Sequence, residues 1–173
     1  MERGLIHLYF GDGKGKTTAA MGLCMRAAGH GMRVGIAQFL KPGNSGELAI
    51  LKTLSCVHIF PFLKSVKFTF AMTEPEKIMA KDFYSQLLHD VKAKAPELDI
   101  LLLDESVSVY TENLIDKRMF IEFLDNRPTG LEIILTGHIP PPELIEMADY
   151  ISEIKKIRHP FEKGEKARKG IEW

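Results

Sequence analysis

The chain has 173 residues, enough for one domain with a sizeable core, and 45% of them are hydrophobic. Its 23 Lys and Arg balance 23 Asp and Glu, so a zero formal net charge gives no electrostatic footing for nucleic acid or an anionic membrane as main partner. The N-terminus MERGLIHLYF lacks a signal-peptide pattern and no apolar run nears the ~20 residues of a membrane span, so a cytoplasmic location is expected. Cys24 and Cys56 form no CxxC pair and read as reduced, buried thiols. In chain order, Leu5 to Phe10 is a short apolar strand running into a glycine loop, and Thr17 to Ala28 is a helix stopped by Gly29 and Gly31. Val34 to Leu40 is a strand closed by Lys41, Pro42 and Gly43, Glu47 to Leu54 a short helix, and Val57 to Phe60 a short strand ending at Pro61. Phe62 to Thr73 has no period and reads as a loop. Thr73 with Glu76 makes a capping-box pattern that opens a helix running to about Ala95, where Pro96 ends it. Asp99 to Leu103 suits a strand buried on both faces, Asp116 to Asp125 a helix, Leu131 to Leu135 a strand, Pro142 to Ala148 a helix, and Tyr150 to Ile157 a last strand. The charged tail from Arg158 carries no clear pattern. This alternation is that of an α/β domain with a mainly parallel sheet, with residues 1–173 forming one unit.

Phe10 to Thr18 reads FGDGKGKTT and joins a strand to a helix. That is the context of a phosphate-binding P-loop, although Phe10 stands at the first glycine of GxxxxGK[ST]. Gly11, Gly13 and Gly15 allow successive amides to form an anion nest, and the helix beginning at Thr17 adds the positive end of its dipole. Lys16 supplies a point charge for outer phosphate oxygens, and the Thr17 hydroxyl is placed to ligate magnesium. The run DILLLDE delivers Asp104 and Glu105 at the carboxyl end of a buried strand, where open α/β sheets bind ligands; one of the two is expected to hold the metal directly or through water. The expected fold is thus a P-loop (RecA-like) three-layer α/β domain with helices on both faces of a twisted sheet. A P-loop alone leaves kinases, ATPases and switches open.

The run GDGKGKTTAAMGLCMRAAGHGMRVGIAQFLK resembles the start of the ATP-dependent corrinoid adenosyltransferases. NSGE, FTF, LLLDE, NRP, ILTG, MADYISEI and the tail KIRHPFEKGEKARKGIEW continue the resemblance in order across nearly the whole chain. Phe70 stands where the family often has Trp, and His138 where Arg is common. The resemblance implies attack by cobalt(I) of a corrinoid on the 5′ carbon of ATP, with tripolyphosphate leaving. It implies that Thr17 and Glu105 hold Mg2+ (or Mn2+), and that Lys14, Lys16 and Thr18 contact phosphates within a nucleotide site spanning Gly11, Asp12, Gly13, Lys14, Gly15, Lys16, Thr17 and Thr18. Arg26 is a weaker candidate for nucleotide contact. Phe68 and Phe70 match positions that wall the corrin and expel its axial ligands; on pattern alone they would pack a loop on the core. His138 ends a strand on the ligand side and is a candidate for meeting substrate. The resemblance also implies a homodimer and a reducing flavoprotein as electron donor. A small P-loop kinase or ATPase, and a non-catalytic ATP-dependent corrinoid carrier, remain as alternatives.

Overall fold

The computed structural model describes residues 3–64, 67 and 69–172. Its chain order is β1 (Ile6–Phe10), α1 (Lys16–Gly29), β2 (Val34–Gln38), α2 (Gly46–Leu51), β3 (Val57–Ile59), α3 (Glu74–Lys94), β4 (Ile100–Asp104), α4 (Ser106–Thr111), α5 (Lys117–Asp125), β5 (Glu132–Gly137), α6 (Pro142–Met147) and β6 (Tyr150–Glu153). The six strands form one sheet in the order β3-β2-β4-β5-β1-β6, and each pairing is parallel.

Strand alternation sorts the core into two layers. Leu101 and Leu103 of β4 face a cluster with Tyr84, Leu87, Leu88 and Val91 of α3 and Phe120 and Leu124 of α5. Ile100 and Leu102 face the opposite cluster, with Ala20, Met21, Cys24 and Ala27 of α1 and Leu48 and Leu51 of α2. With helices on both faces, β2 and β4 are buried along their whole length, which is why they read as continuous apolar runs. β6 is the exposed edge. Among the described residues, no helix is long and apolar enough to cross a membrane.

Three elements depart from the sequence expectation. Residues 106–111, whose β-branched SVSVYT carried no helix signal, form α4, because Val107, Val109 and Tyr110 find burial there. The last strand stops at Glu153 rather than Ile157: β1 ends at Phe10, and Ile154 bonds instead to the glycine loop, donating its N–H to Phe10 O (2.7 Å) and accepting from Gly13 N (2.8 Å). α2 ends at Leu51, three residues early, in a tightened turn where Leu54 N donates to Leu51 O at 3.1 Å. The capping box at Thr73 is present, with Thr73 N–H donating to the Glu76 carboxylate at 2.8 Å.

Candidate active site

The carboxyl ends of β1, β2, β4 and β5 meet at the P-loop. Gly15 takes φ +118 and turns the chain into α1, whose first amides have no intrahelical carbonyl to bond. Lys16 arches back over the loop and donates from Nζ to Gly13 O at 2.9 Å. It is only 8% exposed, and that burial lowers its pKa from the ordinary lysine value, against a smaller raising effect of Glu105. The front of the loop is braced differently. Gly11 N–H donates to His138 O (2.9 Å), and Gly13 N–H goes to Ile154 O, so these two amides bond the residues just past β5 and β6 rather than forming an inward nest. A Cβ at Gly11 or Gly13 would lie 2.4 or 2.7 Å from Ile154 O, which explains glycine at both positions by close approach of backbone.

Behind the loop lies Asp104, fully buried at the end of β4 and bonded at both oxygens. Oδ1 accepts from Thr17 Oγ1 (3.0 Å) and Thr136 Oγ1 (2.7 Å); Oδ2 accepts from Gln38 Nε2 (3.0 Å) and Lys41 Nζ (2.7 Å). The ends of β2, β4 and β5 and the start of α1 are thereby tied to one carboxylate, which is how a charge at this depth is tolerated. The next residue, Glu105, adopts the left-handed region at φ +61, held by its N–H donating to Thr136 Oγ1 (2.8 Å). This turn swings the Glu105 carboxylate out of the core, where Ser108 Oγ donates to it at 2.7 Å. A left-handed non-glycine residue at a strand end is the kind of local strain that persists where surrounding bonds enforce it. Gln38 Oε1 is buried without a hydrogen-bond partner among the described residues.

Two cavities open here. One, of about 580 Å³, is lined by Gly13 to Thr18, Gln38, Lys41, the 42–45 loop and the first two residues of α2. The other, of about 880 Å³, lies beside it against Thr69, Ala71, Ser108, Glu112 and His138. Lys41 and Glu105 line both, so the phosphate-loop cavity and the larger one share a wall.

The family model for "ATP:corrinoid adenosyltransferase BtuR/CobO/CobP" matches residues 2–173. The chain belongs to this family. The corrinoid adenosyltransferase of Salmonella typhimurium is 34% identical over 175 residues, covering 99% of this chain and 87% of that protein. The Escherichia coli K12 corrinoid adenosyltransferase is 33% identical over 179 residues (99% and 87%), and that of Pseudomonas aeruginosa 30% over 178 (99% and 85%). Among solved structures, ATPases 2 and 3 of EssC from Geobacillus thermodenitrificans align at TM-score 0.53 and 18% identity, over 96% of this chain and 35% of that one. That likeness shows the fold alone, a P-loop α/β domain.

In this adenosyltransferase, Gly13, Lys14, Gly15, Lys16, Thr17, Thr18 and Glu105 gather around the smaller cavity. Gly11 and Asp12 do not line it. They face a third cavity of about 540 Å³ on the other side of the loop, with His138, Lys155 and Lys156. Asp12 accepts from Lys156 N at 2.9 Å, a bond that holds its carboxyl below the usual range, so its visible work is to brace the loop. Arg26 is exposed in the last turn of α1, roughly 15 Å of helix rise from Lys16, and lines none of the three cavities. Phe70 is the middle residue of a short 3₁₀ turn, Thr69–Ala71, whose two outer residues line the larger cavity; it is itself 87% exposed and does not line that cavity. Phe68 lies outside the described residues. His138 borders both the larger cavity and the third one.

Sequence reasoning missed four contributors. Gln38 and Thr136 lie in the last two residues of β2 and β5, and Lys41 three residues beyond β2; a polar residue closing a buried run was the available signal. The tail was the fourth: Gly170, Ile171 and Glu172 fold back to line the phosphate-loop cavity. Glu172 is clasped by Arg168 (Oε1 at 3.0 Å from Nη2) and reaches Lys14 Nζ at 3.4 Å. The Arg168 hydrogen bond, with smaller help from Lys14, lowers the Glu172 carboxyl pKa to about 2.

Proposed function

We propose that this chain carries out its family's reaction, transferring the 5′-deoxyadenosyl group of ATP to the cobalt(I) of a corrinoid such as cobalamin or cobyrinic acid a,c-diamide. The observation that carries this reading is the wall shared by a phosphate-loop cavity and a larger neighbour. A kinase needs access to the terminal phosphorus; this reaction needs the sugar end of ATP to face a second, bulky substrate. The nucleophile belongs to that substrate, so no Ser, Cys or His nucleophile is required. The cobalt(I) electron pair forms the cobalt–carbon bond as the C5′–O bond breaks, and that bond's electrons leave on tripolyphosphate.

The chain's own task is to hold the polyphosphate and stabilise the charge that develops on it. Lys16, Lys14, Thr18 and the amides at the start of α1 would do this from the loop side. Thr17 and Glu105 would hold Mg2+ (or Mn2+), a hard ion suited to their oxygen donors, and the unpartnered Gln38 Oε1 offers an acceptor for an ion-bound water. When bound, such an ion would neutralise charge on the phosphate oxygens. Phe70, which stands between two residues lining the larger cavity, would press on the corrin, and by resemblance Phe68 would share that role. Expelling axial ligands lowers the cobalt orbital that accepts the electron and eases reduction of cobalt(II). A homodimer, a cytoplasmic setting and a reducing flavoprotein accompany this reading.

Incubation with ATP, Mg2+ and chemically reduced cobalamin tests it. A light-sensitive adenosylcobalamin and stoichiometric tripolyphosphate are expected. ADP without the cobalt–carbon product would mean a kinase or ATPase; corrinoid binding without turnover would mean a carrier.

A further inference from the structure

The oxygens suited to the metal are gripped by a cation of the chain itself. Lys41 Nζ lies 2.6 Å from Thr17 Oγ1 and 2.7 Å from Asp104 Oδ2. Asp104 is fully buried, whereas the Lys41 side chain is 29% exposed, so the ammonium reaches in from the cavity side. The chain is bent to aim it there: Leu40 has φ +52, unusual for a leucine, and its N–H donates to the buried Tyr84 hydroxyl at 2.9 Å. Thr17 Oγ1 donates its proton to Asp104 and accepts from Lys41, which leaves one lone pair. A divalent ion on that lone pair, at about 2.1 Å, would stand within about 4 Å of the ammonium. Two cations that close repel, and the more so beside a buried carboxylate where the dielectric is low.

Lys41 has both the flexible stem and the space to withdraw, since it lines the wall common to the two cavities. We propose that Lys41 is a displaceable countercharge: it holds Thr17 in ligating posture and balances the charge of Asp104, gives way when metal and nucleotide enter, and carries its charge to the shared wall beside the polyphosphate. It is a positioning residue in this role. The proposal rests on the reading of Thr17 and Glu105 as the metal's holders. A permanent Lys41–Asp104 ion pair is the competing account, and the two differ in what the metal does to the protein.

The test is Mn2+ binding to the full chain, followed by electron paramagnetic resonance with and without ATP, in wild type and Lys41→Gln, together with thermal unfolding. Wild type should bind Mn2+ weakly alone and tightly with ATP. K41Q, relieved of the competing charge, should bind Mn2+ alone about tenfold or more tightly than wild type. Its unfolding midpoint should fall below wild type and recover most of the deficit with Mn2+ and ATP. Unchanged Mn2+ affinity in K41Q, while wild type binds Mn2+ with ATP, overturns the Lys41 proposal alone. Failure of wild type to bind Mn2+ with ATP overturns it together with the metal reading. If K41Q does not fold, Lys41→Arg decides: its planar fork keeps the charge and grips Asp104 in two places, so Mn2+ binding with ATP should weaken about tenfold. Wild-type affinity in K41R would overturn the proposal.

Discussion

Thr136→Val probes the bond network behind the phosphate loop with almost no change of shape. Valine keeps the β-branched outline that suits β5 and removes one hydroxyl. That hydroxyl does two things: it donates to the buried Asp104 carboxylate at 2.7 Å and accepts from Glu105 N at 2.8 Å. Losing a hydrogen bond to a charged group costs about 1.5–3 kcal/mol, and stranding a donor away from water about 1–3 kcal/mol. Because the Glu105 amide is only part-buried, the lower half of the sum applies, about 2–4 kcal/mol. For a chain of this size that corresponds to a midpoint lowered by roughly 5–15 °C. Urea unfolding measures the loss, with Thr136→Ser as control: it keeps the hydroxyl and should cost only about 1 kcal/mol for the missing methyl. The same substitution releases Glu105 from its left-handed turn, so Mg2+-dependent ATP binding should weaken as well. A T136V protein within about 0.5 kcal/mol of wild type, or a T136S protein equally destabilised, would refute this account of how the site is braced.

Lys16→Ala should reduce adenosyl transfer about a hundredfold or more while the circular dichroism spectrum and unfolding midpoint stay near wild type; near-normal turnover would remove Lys16 from the phosphate role. Phe70→Ala should slow reaction starting from cobalt(II) cobalamin far more than from pre-formed cobalt(I), and equal loss in both assays would count against expulsion of axial ligands. Burial raises the Cys24 thiol pKa to about 12, so Ellman's reagent at pH 8 should titrate the half-buried Cys56 and reach Cys24 only after unfolding. An unfolded thiol ionises near pH 9 while the folded Cys24 stays protonated, so its contribution to stability is full below that pH and declines as pH rises toward 12.

The sequence by itself determined the phosphate loop, the acidic end of β4, the family and the layered α/β plan. Each is written locally: a glycine-rich turn between strand and helix, a buried apolar run, and a period of alternation that short-range sterics and burial enforce. Thr17, Lys16 and Glu105 were legible because their neighbours in sequence announce them. Gln38, Lys41 and Thr136 were not, because nothing near them in the chain says that β2 and β5 flank β4; only the strand order brings their side chains to one carboxylate. The same holds for Gly11 and Gly13, whose amides the loop motif assigned to phosphate, whereas His138 and Ile154, just past β5 and β6, supply carbonyls for them. Helix α4 formed against its own β-branched residues because burial outweighs a propensity of a few tenths of a kcal/mol per residue. The tail, a charged run without a period, found its place through the Arg168–Glu172 clasp and the reach to Lys14. Local pattern fixes which pieces exist; the long-range pairing of strands decides which polar groups share a buried charge, because a carboxylate at that depth is stable only where partners from several elements converge.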